Sequence, residues 1–146
     1  MNKCVLVKKE LIEKTLKTEA KQGKGLVEPL KSFALENNLP FKILEDKEVV
    51  NEAEVHKIEG DLWHCLEGKA EFIYGGELVN PIVVIQNGIA NENELKAKEI
   101  FGGIKVILRA GDWLWVPPGQ PHQHQCSEVA RLIIIKIPAK TDLFQK

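Results

Sequence analysis

The chain lacks paired cysteines: Cys4, Cys65 and Cys126 are scattered, odd in number and in no Cys-X-X-Cys spacing. That excludes a disulfide framework and fits a reducing compartment. It also lacks an excess of charge of either sign. Twenty Lys and Arg stand against 21 Asp and Glu, for a net charge of -1. Such a balance argues against a general nucleic-acid or membrane-surface binder. No apolar run approaches the length of a membrane span. The apolar stretch near the N-terminus is too short for a signal peptide. There is no internal repeat and no low-complexity tract. The one local imbalance is in the first 24 residues, with seven Lys against three Glu. A basic solvated helix face explains it better than an interaction arm. The expectation is a soluble, cytoplasmic protein with no nucleic-acid or membrane partner.

What is present is one domain's worth of chain, 146 residues that are 44% hydrophobic. That suffices for a single sizeable core. Residues 9–21 read as an amphipathic helix, with Leu11, Ile12, Thr15 and Leu16 on one face. Gln22-Gly-Lys-Gly25 ends it. A second helix starts near Glu28-Pro29, carries Leu30, Phe33 and Ala34, and stops at Asn37-Asn38-Leu39-Pro40. From residue 41 short apolar runs alternate with Gly, Pro and Asn. Strands are expected near 41–46, 52–58, 61–67, 69–74, 78–85, 104–109, 112–116, 121–126 and 130–137. Gly75-Gly76 is a hairpin signal. Gln86 to Glu94 is polar and Asn-rich and reads as a surface loop, with a lid formed by 86–100 as the alternative. The resulting organisation is a helical extension over 1–40, a β-barrel over 41–138 and a tail over 139–146.

Two stretches carry chemistry. In the first, Glu54-Val55-His56 places two potential ligands at i and i+2, on one face of a strand. Asp61 opens the next strand after the Gly60 turn, and Gly68 lets that strand reverse. In the second, Gly111-Asp-Trp-Leu-Trp-Val-Pro117-Pro-Gly119-Gln-Pro-His122 runs a strand into a rigid turn, from which His122 emerges. Proline presets φ there and glycine permits what other residues do not. His124 lies two residues on, on the same face. Two imidazoles and a carboxylate converging on one cation form a site with open positions for substrate or water.

At these residues the chain resembles the cupin superfamily of small antiparallel jelly-roll barrels. Its second motif runs Gly, Pro-X-Gly, His and Asn; this chain offers Gly111-(X)5-Pro117-X-Gly119-(X)2-His122-(X)3-Cys126, departing only at the last position. Its first motif runs His-X-His, a Glu and a Gly; this chain offers Glu54-X-His56-(X)4-Asp61-(X)6-Gly68. The resemblance implies an all-β fold, an antiparallel double-stranded β-helix (jelly roll) with one or two N-terminal helices. It implies that Glu54, His56, Asp61 and His122 occupy the metal-ligand positions. By ligand type the set suits Fe, Mn, Ni or Zn as a divalent cofactor. Asp61 is one methylene shorter than the family's Glu, which leaves His124 as an alternative ligand or as a pocket or supporting residue. Glu54 is either the fourth ligand or a general base.

The implied activity is that of a metal-dependent enzyme on a small organic molecule, of the isomerase, lyase or dioxygenase class. The alternatives are a non-enzymatic small-molecule-binding module, with or without metal, and a metal-free structural barrel. A homodimer is the expected assembly. His64, three residues after Asp61, falls on the opposite face, outside the pocket. Trp113 and Trp115 alternate with Leu114 and Val116, so one pair faces in and the other out. If the tryptophans face out, they form an apolar patch suited to a dimer. Cys65 and Cys126 read as buried small hydrophobes.

Overall fold

The structure, a computed structural model, describes residues 3–140. The last six residues of the expected C-terminal tail lie outside it. In chain order come α1 (Lys9–Leu16), β1 (Gly23–Leu26), α2 (Leu30–Glu36) and β2 (Phe41–Val50). Then follow β3 (Ala53–His56), β4 (Glu59–Glu67), β5 (Lys69–Tyr74), β6 (Glu77–Leu78), β7 (Ile82–Gln86) and β8 (Ile89–Ala97). The chain closes with β9 (Ile100–Phe101), β10 (Ile104–Arg109), β11 (Trp113–Val116) and β12 (His122–Pro138). Every ladder between these strands is antiparallel. The fold is the all-β jelly roll that the two motifs imply, preceded by two helices.

The long strand β12 organises the barrel. Its first part, His122 to Gln125, pairs with β5, and His122 also pairs with Glu54 of β3. After an irregularity between Cys126 and Val129 it runs between β2 and β4. A bulge bends a strand and re-aims its side chains. The two strands expected over 121–126 and 130–137 are therefore one, bent at the bulge. The inner face at one end is filled by Cys65, Phe72, Leu108, Ala130 and Leu132. Toward the other end, polar side chains replace them on the same faces.

The helices cover the outer face of β2 and β12. Leu11, Ile12, Leu16, Leu30 and Phe33 pack over Ile43 and Ile133. Fully buried Thr15 accepts the Leu30 backbone N–H at 3.1 Å, which joins α1 to the first turn of α2. Helix α1 ends at Leu16, five residues short of the expected 21. The cause is a competitor for its carbonyls. Arg131, buried and paired with Glu45, donates to the Leu16 and Thr18 carbonyl oxygens at 2.6 Å each. The Gly-Lys-Gly segment expected only to end this helix is β1, which pairs with β2.

One expectation is overturned. Gln86 to Glu94 is not a surface loop: it belongs to the β7–β8 hairpin turned by Asn87-Gly88. Both turn residues have positive φ, 52° and 77°. Asn-Gly is the strongest signal for such a two-residue turn. The polar composition of β8 hid it, because much of that strand faces solvent.

Candidate metal centre

Strand geometry assembles the centre from β3, β4 and β12. Glu54 and His56 share a face of β3, and His122 sits opposite Glu54 in register. The Gly119 backbone N–H donates to the His56 carbonyl at 2.8 Å, so the Pro-Pro-Gly turn is tied directly to β3. Asp61 lies on β4, between Val116 of β11 and Lys136 of β12. Gly68, at φ 72°, closes β4. A Cβ there would sit 2.1 Å from the Val129 carbonyl oxygen, so only glycine fits.

The structure brings these side chains close together. His56 Nε2 lies 3.3 Å from a Glu54 oxygen and 3.4 Å from Asp61 Oδ2. His122 Nε2 lies 3.2 Å from the same Asp61 oxygen. Ligand atoms of Glu54, His56 and His122 all fall within 4.8 Å of one another. Asp61 is 1% exposed and His122 2%. Among the described residues, three buried atoms here have no hydrogen-bond partner: His56 Nε2, His122 Nε2 and Asp61 Oδ2. Leaving buried polar atoms unpaired is costly. A cation at their common focus would satisfy all three.

The far side of each group is already engaged. His122 Nδ1 lies 3.1 Å from the Gln120 carbonyl, which fixes the proton on Nδ1 and leaves the Nε2 lone pair free. His56 Nδ1 is bonded to the Glu94 carboxylate. Carboxylate–histidine pairs of this kind orient a metal-binding ring and raise its basicity. The Lys136 ammonium donates to Asp61 Oδ1 at 2.7 Å, leaving Oδ2 to face the rings. Sequence reasoning missed Glu94 because it placed residues 86–94 in a loop. The Asn87-Gly88 signal, followed through, would have put Glu94 on a strand; its place opposite His56 depends on register between distant strands. Lys136 was legible as a strand residue, but its pairing with Asp61 depends on register.

Electrostatics follow from this crowding. Burial opposes charge on Asp61, yet the His122 and His56 rings and Lys136 hold its carboxyl far below the usual range. Burial likewise opposes charge on Glu54, and His56 and Lys24 outweigh it and lower its pKa. Burial disfavours a charged His56, but Asp61, Glu54 and Glu94 push its pKa up to about 10. In the metal-free protein a proton on His56 thus takes the role of a cation.

His124 stands apart from this focus. Its Nδ1 lies 2.5 Å from Asp46 Oδ2 and 3.0 Å from Asn51 Nδ2. Its ring packs against Trp63 and Phe72, and it lines a cavity of about 360 Å³ beside Glu54 and Asp61. His64 is outside, stacked on Trp113 with ring centroids 4.0 Å apart. Trp113 and Trp115 face out, 56% and 46% exposed, whereas Val116 is buried and Leu114 packs on the core. Cys65 and Cys126 are buried free thiols, and burial raises the pKa of both.

No protein-family model matches the chain, and no curated protein matches it in sequence. Solved structures do. The chain superposes on E. coli ycfD with a TM-score of 0.56 at 18% identity, over 86% of this chain and 36% of that one. It aligns with the EutQ protein of Clostridium difficile at TM-score 0.42 and 17% identity, over 69% of this chain and 57% of that one. Hydroquinone 1,2-dioxygenase from Sphingomonas sp. TTNP3, with 4-hydroxybenzoate bound, gives TM-score 0.44 and 13% identity, covering 84% and 91%. The chain therefore spans less than two thirds of ycfD and of EutQ. The ycfD likeness shows the fold alone. It says nothing of the reaction, because one fold hosts many chemistries.

Proposed function

We propose that this protein is a cupin-superfamily metalloprotein whose centre is formed by Glu54, His56, Asp61 and His122, and that it acts as an enzyme on a small organic molecule. The carrying observation is the set of three unpartnered buried atoms on His56, Asp61 and His122, focused on one point. Two imidazoles with two carboxylates suit Fe, Mn, Ni or Zn in the divalent state. Such an ion supplies Lewis-acid polarisation of a substrate oxygen, or redox chemistry if it is iron. The chain's own residues do the rest. Glu94 and the Gln120 carbonyl hold the two rings in the tautomer that leaves Nε2 free. Lys136 holds Asp61 turned inward. Glu54, on the cavity wall, stays ionised and is placed to coordinate or to accept a substrate proton at a carboxylate oxygen. The cavity provides the space for a small ligand.

Elemental analysis of tag-free protein tests this. One equivalent of metal is expected in the wild type and its loss in His56→Ala and His122→Ala. Glu94→Ala should weaken affinity roughly 10–100-fold, as loss of a supporting carboxylate does. Failure to bind metal, even after reconstitution with Fe(II), Mn(II), Ni(II) and Zn(II), would sink the proposal and leave a ligand-binding or structural barrel. Stoichiometric metal without turnover on any small organic substrate would favour the binding-module alternative. The outward tryptophans support a homodimer, and the buried reduced thiols support a cytoplasmic location.

A further inference from the structure

The cavity beside the centre has features that the four ligand residues leave unexplained. Its floor is a row of side chains in register across three strands. Lys42 of β2 pairs with Ile134 of β12, and Ile134 pairs with Trp63 of β4. The neighbouring row carries Lys136 and Asp61. Lys42, Leu44, Trp63 and Ile134 all line the cavity.

The floor offers a donor without an acceptor. Lys42 is half-buried and makes no ion pair among the described residues. Lys24 and Lys136 already face Glu54 and Asp61, at 3.6 and 2.7 Å. Trp63 is 3% exposed, and its indole Nε1–H is closed to water, so it turns its ring and not its N–H to the cavity. Asp46, on the same face of β2, is spent on His124 and Asn51. A negatively charged ligand would satisfy Lys42. The remaining wall is apolar, from Leu44, Ile134 and the indole face.

Charge balance points the same way. A dication at the centre cancels the carboxylates of Glu54 and Asp61. Lys136 keeps Glu59 at 3.8 Å, which leaves the ammonium groups of Lys24 and Lys42 without a countercharge at the cavity. Charge-assisted hydrogen bonds to a carboxylate are the strong ones in such a setting.

We propose that the cavity takes a small monocarboxylic acid with an apolar body, its carboxylate held by Lys42 and its body packed on Leu44, Ile134 and the Trp63 ring. This deepens the enzyme reading above by naming its substrate class, but the acid site rests on Lys42, not on the metal. Lys42 is a specificity-determining residue that selects acids over their neutral isosteres.

Calorimetric titration tests it with 3-phenylpropanoate and 4-methylpentanoate, each against its primary amide. The proteins are the wild type, Lys42→Met and Lys42→Arg, each as purified and after chelation. The wild type is expected to bind at least one acid roughly tenfold or more tighter than its amide, the range of a charged hydrogen bond. Lys42→Met should abolish that preference while leaving metal content unchanged, and Lys42→Arg should keep it. Chelated wild type that still prefers the acid through Lys42 supports the acid site even if the metal reading fails. Equal binding of acid and amide, binding of neither acid, or a preference that survives Lys42→Met overturns the inference.

Discussion

At the scale of single residues, the centre is a problem in charge packed at short range. His56 is surrounded by Asp61, Glu54 and Glu94, and in the metal-free protein its pKa rises from the usual 6.5 to about 10. A folded-state pKa raised above the unfolded value stabilises the fold fully below the unfolded value. That stability is lost as pH rises through the folded value. Glu54 and Asp61 are shifted the other way, from 4.5 and 3.8. Their contribution is present above those values and is lost as pH falls below them. Thermal unfolding of the chelated protein is therefore expected to peak between about pH 4.5 and 6.5 and to decline on both sides. His56→Ala should remove the alkaline decline that runs from 6.5 toward about 10. Bound metal should remove it as well, since metal replaces the proton on the ring. An alkaline limb that persists unchanged in His56→Ala would locate its cause elsewhere.

At the scale of elements, a few glycines and one turn set how strands approach. The Pro-Pro-Gly turn delivers His122 and also bonds to β3 through the Gly119 N–H. Gly60 permits a close approach on the outer face, where the Trp115 ring lies over it. A Cβ at Gly60 would stand 2.3 Å from Trp115 Cη2. Gly60→Ala is expected to cost about 1–3 kcal/mol, the usual penalty of overpacking. Most of that cost should vanish in a Trp115→Ala background, because the obstructing ring is gone. Denaturant unfolding of the four proteins forms a double-mutant cycle. Equal cost in both backgrounds would mean that the strain arises from backbone conformation instead.

At the scale of the whole molecule, the two helices protect only part of the barrel's outer face. They cover Ile43 and Ile133 and are anchored by Arg131 to the end of α1. Strand β11, which among the described residues pairs with β4 alone, is an edge strand that leaves Trp113 and Trp115 exposed. Exposed aromatics on an edge strand are what a subunit contact conceals. Sedimentation should show a dimer for the wild type and a monomer for the Trp113→Glu, Trp115→Glu double variant, with metal content intact in both. A monomeric wild type would remove the proposed homodimer.

The sequence by itself determined the fold class and which residues of the candidate centre share a strand face. Fixed spacings in Glu54-X-His56-(X)4-Asp61 and Pro117-X-Gly119-(X)2-His122 are local, and strand alternation converts them into shared faces. The order of short strands and turns followed from the same local rules. What lay beyond it was pairing between distant segments. Glu94 meets His56, Lys136 meets Asp61, and Lys42 and Trp63 flank Ile134, all because of register between strands far apart in the chain. Alternation told which residues share a face; only the curled sheet decided that the tryptophans turn outward. Side-chain period is a property of one strand. Register and the choice of inner face come from burying the whole apolar set at once, and that is settled only when the sheet curls on itself.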